Sequence, residues 1–145
     1  MSLKVKIINR SKNPLPQYQT EHSAGVDLCA NIENDIEIKP LERKLIGTGY
    51  YIEIPEGYEA QIRPRSGLAA KSGITVINSP GTIDADYRGE IKVCLVNLSN
   101  ENYIIKNGDR IAQMIFAEYK KVIFETTEEI SETTRGDGGY GHTGK

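Results

Sequence analysis

The sequence predicts an all-β chain, a sandwich, jelly roll or barrel that carries one short helix. Three observations point there. Short runs alternate apolar and polar residues, turn residues separate them at close intervals, and one brief stretch alone has helical character.

The clearest alternating runs are Leu3-Lys-Val5-Lys-Ile7, Asp35-Ile-Glu-Ile38, Tyr51-Ile-Glu-Ile54 and Glu90-Ile-Lys-Val-Cys-Leu-Val96. Period two puts every second side chain on one face, the mark of a half-buried strand. Further strands are predicted over Leu45–Thr48, Glu59–Arg63, Ile74–Ile77, Tyr103–Ile105, Ile111–Phe116 and Val122–Phe124. Turns are predicted at Pro55-Glu-Gly57, Asn78-Ser-Pro-Gly81 and Asn107-Gly108, the last a hairpin signal because it lies between two apolar runs. The helix runs through Leu68-Ala-Ala-Lys71, with Ser66 as its cap and Gly73 as its end. No repeat of fixed period is visible.

With 145 residues the chain fits one domain, and 38% hydrophobic with 26% charged residues places it among ordinary globular proteins. Its 18 basic and 20 acidic side chains, net charge -2, argue against a nucleic-acid binder held by an overall positive field. No apolar run approaches the ~20 residues of a membrane helix, and the charged alternation at the N-terminus differs from a signal peptide. The expected location is the cytoplasm. Cys29 and Cys94 match no metal-ligand spacing and read as two buried thiols; His22 and His142 lie too far apart to build a zinc site alone. The chain divides into a β-domain over 1–134 and a glycine-rich arm over 135–145, whose eleven residues include five glycines. Such a segment buries too little to order itself. It reads either as a floppy terminus or as an arm that orders over a phosphorylated ligand, since Arg135, Tyr140, Thr143 and Lys145 offer cations, an aromatic face and a hydroxyl.

Four further segments could carry chemistry. In Arg63-Pro-Arg65-Ser66-Gly67-Leu68 a strand end meets a helix start, where free amides, a guanidinium and a hydroxyl make an anion site; a plain cap beside a solvated charge fits as well. In Gly81-Thr-Ile-Asp84-Ala-Asp86-Tyr87-Arg88-Gly89 two carboxylates at i and i+2 point to one side of an extended loop, suited to orienting a water beside an aromatic ring. An acidic β-turn is the simpler alternative. In Gly108-Asp109-Arg110-Ile111-Ala112-Gln113, Arg110 shares a face with Ala112, and Gln113 shares one with Ile111, so its amide needs a backbone or ligand partner. In Ser23-Ala-Gly25-Val-Asp27-Leu28, Asp27 either holds an arginine or orders metal-bound water.

Together these segments closely resemble the five motifs of the trimeric dUTPase family, in the family's order and spacing. They are Ala24-Gly-Val-Asp27-Leu, Pro64-Arg-Ser-Gly-Leu-Ala69, Asn78-Ser-Pro-Gly-Thr-Ile-Asp84-Ala-Asp-Tyr87-Arg-Gly89, Gly108-Asp-Arg-Ile-Ala-Gln113 and Arg135-Gly-Asp-Gly-Gly-Tyr140-Gly-His-Thr143-Gly. The resemblance implies a jelly-roll-like β subunit in a threefold homotrimer, with sites at subunit boundaries that the arm closes. It implies hydrolysis of dUTP to dUMP and pyrophosphate with Mg²⁺ chelated by the triphosphate, limiting dUTP and supplying dUMP for thymidylate synthesis.

By position, the resemblance makes Asp84 the residue that binds the sugar 3′-hydroxyl and orients the attacking water. Tyr87 packs under the deoxyribose and leaves no room for a 2′-hydroxyl. Asn78 with the backbone of Gly81, Thr82 and Ile83 reads uracil, whose donor and acceptor pattern cytosine reverses. Arg65, Ser66, Gly67 and Gln113 line the phosphates. Asp27 lies near the metal's waters; Arg135 grips the γ-phosphate, Tyr140 stacks on the base and Thr143 touches phosphate. Two positions depart from the family's usual residues: Tyr140 stands where Phe is frequent and His142 where Ser is. Asp86 receives no role. A dCTP deaminase, which shares the fold and trimer, is the alternative enzyme, and a trimer that only binds nucleotide or protein is the alternative without catalysis. The Asp84-to-Tyr87 loop and the arm favour the phosphohydrolase over both.

Overall fold

The structure is a computed structural model and describes residues 2–144. In chain order its elements are β1 (Lys6–Asn9), β2 (Val26–Cys29), β3 (Ile36–Ile38), β4 (Arg43–Gly47), β5 (Tyr50–Glu53), β6 (Tyr58–Arg63), α1 (Ser66–Ser72), β7 (Ile74–Val76), β8 (Gly81–Ile83), β9 (Lys92–Asn97), β10 (Tyr103–Ile105) and β11 (Arg110–Glu118). Strands pair as a four-stranded sheet in the order β2-β11-β6-β8, a three-stranded sheet β4-β9-β7, and the two-stranded pairs β1-β5 and β3-β10. All of these pairings are antiparallel. The all-β expectation with one short helix therefore holds.

Alternation builds the core. In β2, Val26 and Leu28 are buried while Asp27 and Cys29 turn outward. In β9, Val93 and Leu95 are completely buried, and they meet Leu28, Ile62 and Met114 of the larger sheet in one apolar cluster with Tyr50, Ile38 and Ile105. Asn97 ends β9 fully buried. Its amide donates to the carbonyls of Ile38 (2.8 Å) and Glu101 (2.7 Å), and its oxygen accepts from the Ser99 amide (2.9 Å), so no polar atom is left unpaired.

The structure corrects several sequence expectations. A β-bulge between Arg110 and Ala112 in β11 buries both Ile111 and Ala112, so Arg110 does not share a face with Ala112, nor Gln113 with Ile111. The Asn107-Gly108 turn is no hairpin, because β10 pairs with β3 while β11 pairs with β2 and β6. Instead Gly108, at φ 83°, donates to Ala30 (2.8 Å), and the Asn107 side chain accepts from Ile32 (3.0 Å). Ser66 is the first helical residue and not the cap; Arg65 holds the cap position with no side-chain bond to the helix. Gly73 does end α1, at φ 65°, donating back to Ala69 at 3.1 Å. Val122–Phe124 forms no strand, and its residues are 67, 98 and 90% exposed. Among the described residues no helix is long and apolar enough to cross a membrane.

Candidate active site

The middle of the four-stranded sheet builds a basic cleft. Antiparallel register sets Asp27 of β2 beside Gln113 of β11, and Gln113 beside Arg63 of β6, so three polar side chains cross the sheet in one row. The row faces away from the core because its strand neighbours Leu28, Ile62 and Met114 point inward. The chain leaving β6 then adds Arg65 and Ser66 at the start of α1. Asp27, only 14% exposed, receives Arg65 Nε on one oxygen (3.2 Å) and Arg110 Nη1 on the other (3.2 Å). Arg65 also donates through Nη1 to the Arg110 carbonyl at 3.3 Å.

The cleft is lined by Gly25, Asp27, Arg63, Arg65, Ser66, Arg110 and Gln113, among others. Three arginines and one carboxylate line it, two of the arginines paired with Asp27 and Arg63 donating to Gln61 Oε1 (2.6 Å), so the surface suits a multiply charged anion. Gln113 Nε2 donates to the Pro64 carbonyl (3.0 Å), the backbone partner that a half-buried amide requires. Its oxygen lies over Gly25, where a Cβ would come within 2.6 Å. Of the two roles open to Asp27, the ion pairs favour the arginine-holding one. Arg63 and Arg110 complete the cleft although the sequence expectation gave neither a role: Arg63 directly precedes one motif, and Arg110 lies inside another without being singled out. Beside the cleft, burial and then the Asp27 carboxylate push the Cys29 thiol up from its ordinary pKa.

The second group lies at the other end of the β6–β8 ladder. Gly81 opposes Ile62 near the basic cleft, whereas Ile83 opposes Ala60, so the following Asp84 emerges away from it. The Asn78 side chain covers Gly81, with Nδ2 3.2 Å from where a Cβ would sit. Residues 84–87 form a turn closed by the Tyr87 amide on the Asp84 carbonyl (3.1 Å), not the extended loop expected. Even so, Asp84 and Asp86 are exposed and line the same cleft, with Glu53, Glu59 and Arg88. Arg88 Nη1 holds the turn by donating to Ala85 O (2.7 Å) and Tyr87 O (3.1 Å). Tyr87 is 43% exposed, and its hydroxyl donates to the Glu90 carbonyl (2.9 Å).

The arm forms the third group. Arg135 Nε donates to the Gly138 carbonyl (2.9 Å), and Arg135, His142 and Thr143 share a shallow surface cleft with Thr134 and Gly141. Tyr140 is fully exposed. Lys145 lies outside the described residues. Among the described residues no hydrogen bond or ion pair joins the arm to either cleft. One chain thus brings together Asp27, Arg65, Ser66 and Gln113; Asn78 and Gly81 stand at the near end of the β6–β8 ladder, Asp84 and Tyr87 in the turn beyond its far end, and Arg135, His142 and Thr143 lie separately again. Among the described residues no group of three or more His, Cys, Asp or Glu is placed to hold a metal.

Residues 5–144 match the family model described as dUTPase. A deoxyuridine 5′-triphosphate nucleotidohydrolase of Finegoldia magna is 65% identical over 142 residues, covering 98% of this chain and 99% of its own. One of Cytophaga hutchinsonii is 59% identical over 145 residues, covering 100% of this chain and 94% of its own. Among solved structures, the dUTPase of Staphylococcus bacteriophage 80alpha with dUpNHpp superposes with a TM-score of 0.88 at 25% identity, over 98% of this chain and 99% of that one. A mutant dUTPase of Staphylococcus aureus phage phi11, described with a structural Mg(II) ion, is alike in fold at TM-score 0.80 and 21% identity, over 89% of this chain and 99% of that one. With nearly its full length matched by the family model and by relatives at this identity, the chain belongs to the dUTPase family of enzymes.

Proposed function

We propose that the chain hydrolyses dUTP to dUMP and pyrophosphate, limiting dUTP and supplying dUMP for thymidylate synthesis, in sites that lie between the subunits of a homotrimer. The observation that carries this reading is the division of labour across the sheet: a three-guanidinium cleft at one place, and an exposed carboxylate beside an exposed ring at another.

In this reading Asp84 binds the 3′-hydroxyl and orients a water for in-line attack on the α-phosphorus. Arg65, Ser66, Gly67 and Gln113 receive the β- and γ-phosphates, where fixed donors neutralise charge that grows on the leaving pyrophosphate. Asp27, fastened to Arg65 and Arg110, fixes the geometry of those guanidiniums. Asn78 and the backbone of Gly81, Thr82 and Ile83 read uracil, and Tyr87 packs under the sugar. From the arm, Arg135 meets the γ-phosphate, Tyr140 the base and Thr143 a phosphate. Mg²⁺ would enter as a companion of the triphosphate and add positive charge at the phosphates, with Asp27 the one carboxylate of the cleft that could contact its waters.

The homotrimer draws support from the separation of the groups, since Asp84 and Ser66 lie at opposite ends of one ladder. It draws support too from Val122, Ile123 and Phe124, apolar residues exposed on a stretch that, among the described residues, pairs with no strand. The test is pyrophosphate release from each common nucleoside triphosphate in turn. Release is expected from dUTP far above all others; comparable release from dCTP or UTP, or ammonia from a cytidine nucleotide, overturns the reading.

A further inference from the structure

Glycine is demanded at some positions by backbone conformation, as at Gly73 and Gly108, whose φ angles are 65° and 83°. Gly89 is different. It is not among the residues with positive φ, so a left-handed backbone is not what calls for glycine there. What forbids a side chain there is Tyr87. A Cβ on Gly89 would lie 2.5 Å from Tyr87 Cζ and 2.9 Å from Cε2, and closer still to the phenolic oxygen. The ring folds back across residue 89, and its hydroxyl reaches the Glu90 carbonyl beyond, at 2.9 Å.

That carbonyl is a firm anchor. Glu90 Oε1 accepts from the Gly49 amide (2.9 Å), and the next residue, Ile91, is fully buried and donates to the Tyr50 carbonyl (2.8 Å). Tyr87 is 43% exposed and stays outside the apolar core, so the space over Gly89 and the bond to Glu90 set the direction of its ring. We infer that Gly89 is a specificity-positioning residue: by lacking a side chain it seats the Tyr87 ring against the sugar site, and through that ring it excludes a 2′-hydroxyl. The inference rests on the reading of Tyr87 as the residue that faces the deoxyribose.

The atoms that a methyl on Gly89 would strike are the far end of a side chain, which can swing away while the backbone stays. Gly89→Ala should therefore fold and assemble normally but lose its seat for the ring. One methylene-sized difference in a pocket is worth roughly 10–200-fold in discrimination. The preference for dUTP over UTP, read as the ratio of kcat/KM values, should accordingly fall about tenfold or more in Gly89→Ala, with the melting temperature and native mass of the parent. The same ratio is measured in Tyr87→Ala and in the double variant. If Gly89 acts through the ring, Gly89→Ala adds nothing in the Tyr87→Ala background. An unchanged ratio in Gly89→Ala overturns the inference, as does an additive loss in the double variant or a failure to fold, which would make the glycine a backbone requirement. An unchanged ratio in Tyr87→Ala itself is a separate result: it removes the sugar-facing role of Tyr87 and this inference with it.

Discussion

Asp27 shows how one carboxylate can organise a basic cleft. It holds Arg65 and Arg110 at 3.2 Å each, so two flexible cations become a fixed pair. Asp27→Asn keeps the shape and removes the charge; the KM for dUTP is expected to rise about tenfold, the scale of one charge-assisted bond, with a smaller change in kcat. Steady-state kinetics checks the split. Asp84 should behave in the opposite way, because it is exposed, forms no ion pair among the described residues, and is proposed to orient the water. Asp84→Asn should cut turnover by orders of magnitude while calorimetry with a non-hydrolysable dUTP analogue shows binding largely kept; near-normal turnover would remove the assignment. The Cys29 thiol, held above its ordinary pKa by burial and the neighbouring carboxylate, should stay neutral and react slowly with iodoacetamide at neutral pH.

Among the elements, α1 owes its end to Gly73, where the left-handed conformation coincides with close packing: a Cβ there would lie 3.0 Å from the Ser99 amide nitrogen. Gly73→Ala should cost more than about 1 kcal/mol, read as a lower melting temperature. This end was legible in the sequence, as were most strands, because glycine after a short helical run and period-two alternation are local signals. What the sequence concealed depended on distant partners. Asn107-Gly108 carries a hairpin signature, yet the strands around it find better mates in β3, β2 and β6. The bulge in β11 cannot be read from Arg110-Ile-Ala-Gln113, since it exists only against the register of β2. β2 and β8 went unpredicted because a glycine, Gly25 before one and Gly81 opening the other, reads as a turn or bend, although both carry candidate site residues. The site residues themselves were recognised from motifs, which name residues but do not show that Asp27 pairs with two arginines or that Tyr87 bends over Gly89. The arm is the remaining element, and a chain ending at Thr134 should keep its fold and native mass yet show very poor dUTP turnover; full activity would make residues 135–145 a floppy end.

For the whole molecule, Val122–Phe124 is the feature that one chain does not explain. Burying three such side chains against another copy is worth several kcal/mol, about 25 cal/mol per Å² of apolar area. Replacing Ile123 and Phe124 with Ser should leave the protomer's circular dichroism intact while sedimentation shows a weakened assembly.

Because the basic cleft and the Asp84 turn stand at opposite ends of one ladder, damage to each should be separable in heredity as well as in space. A chain crippled at Asp84 and a chain crippled at Arg65, each inert alone, should rescue one another when co-expressed, since some boundaries in the mixed assemblies would join an intact half from each parent. A defective allele of this protein would then not behave as a simple null: its effect would depend on which half its companion lacks.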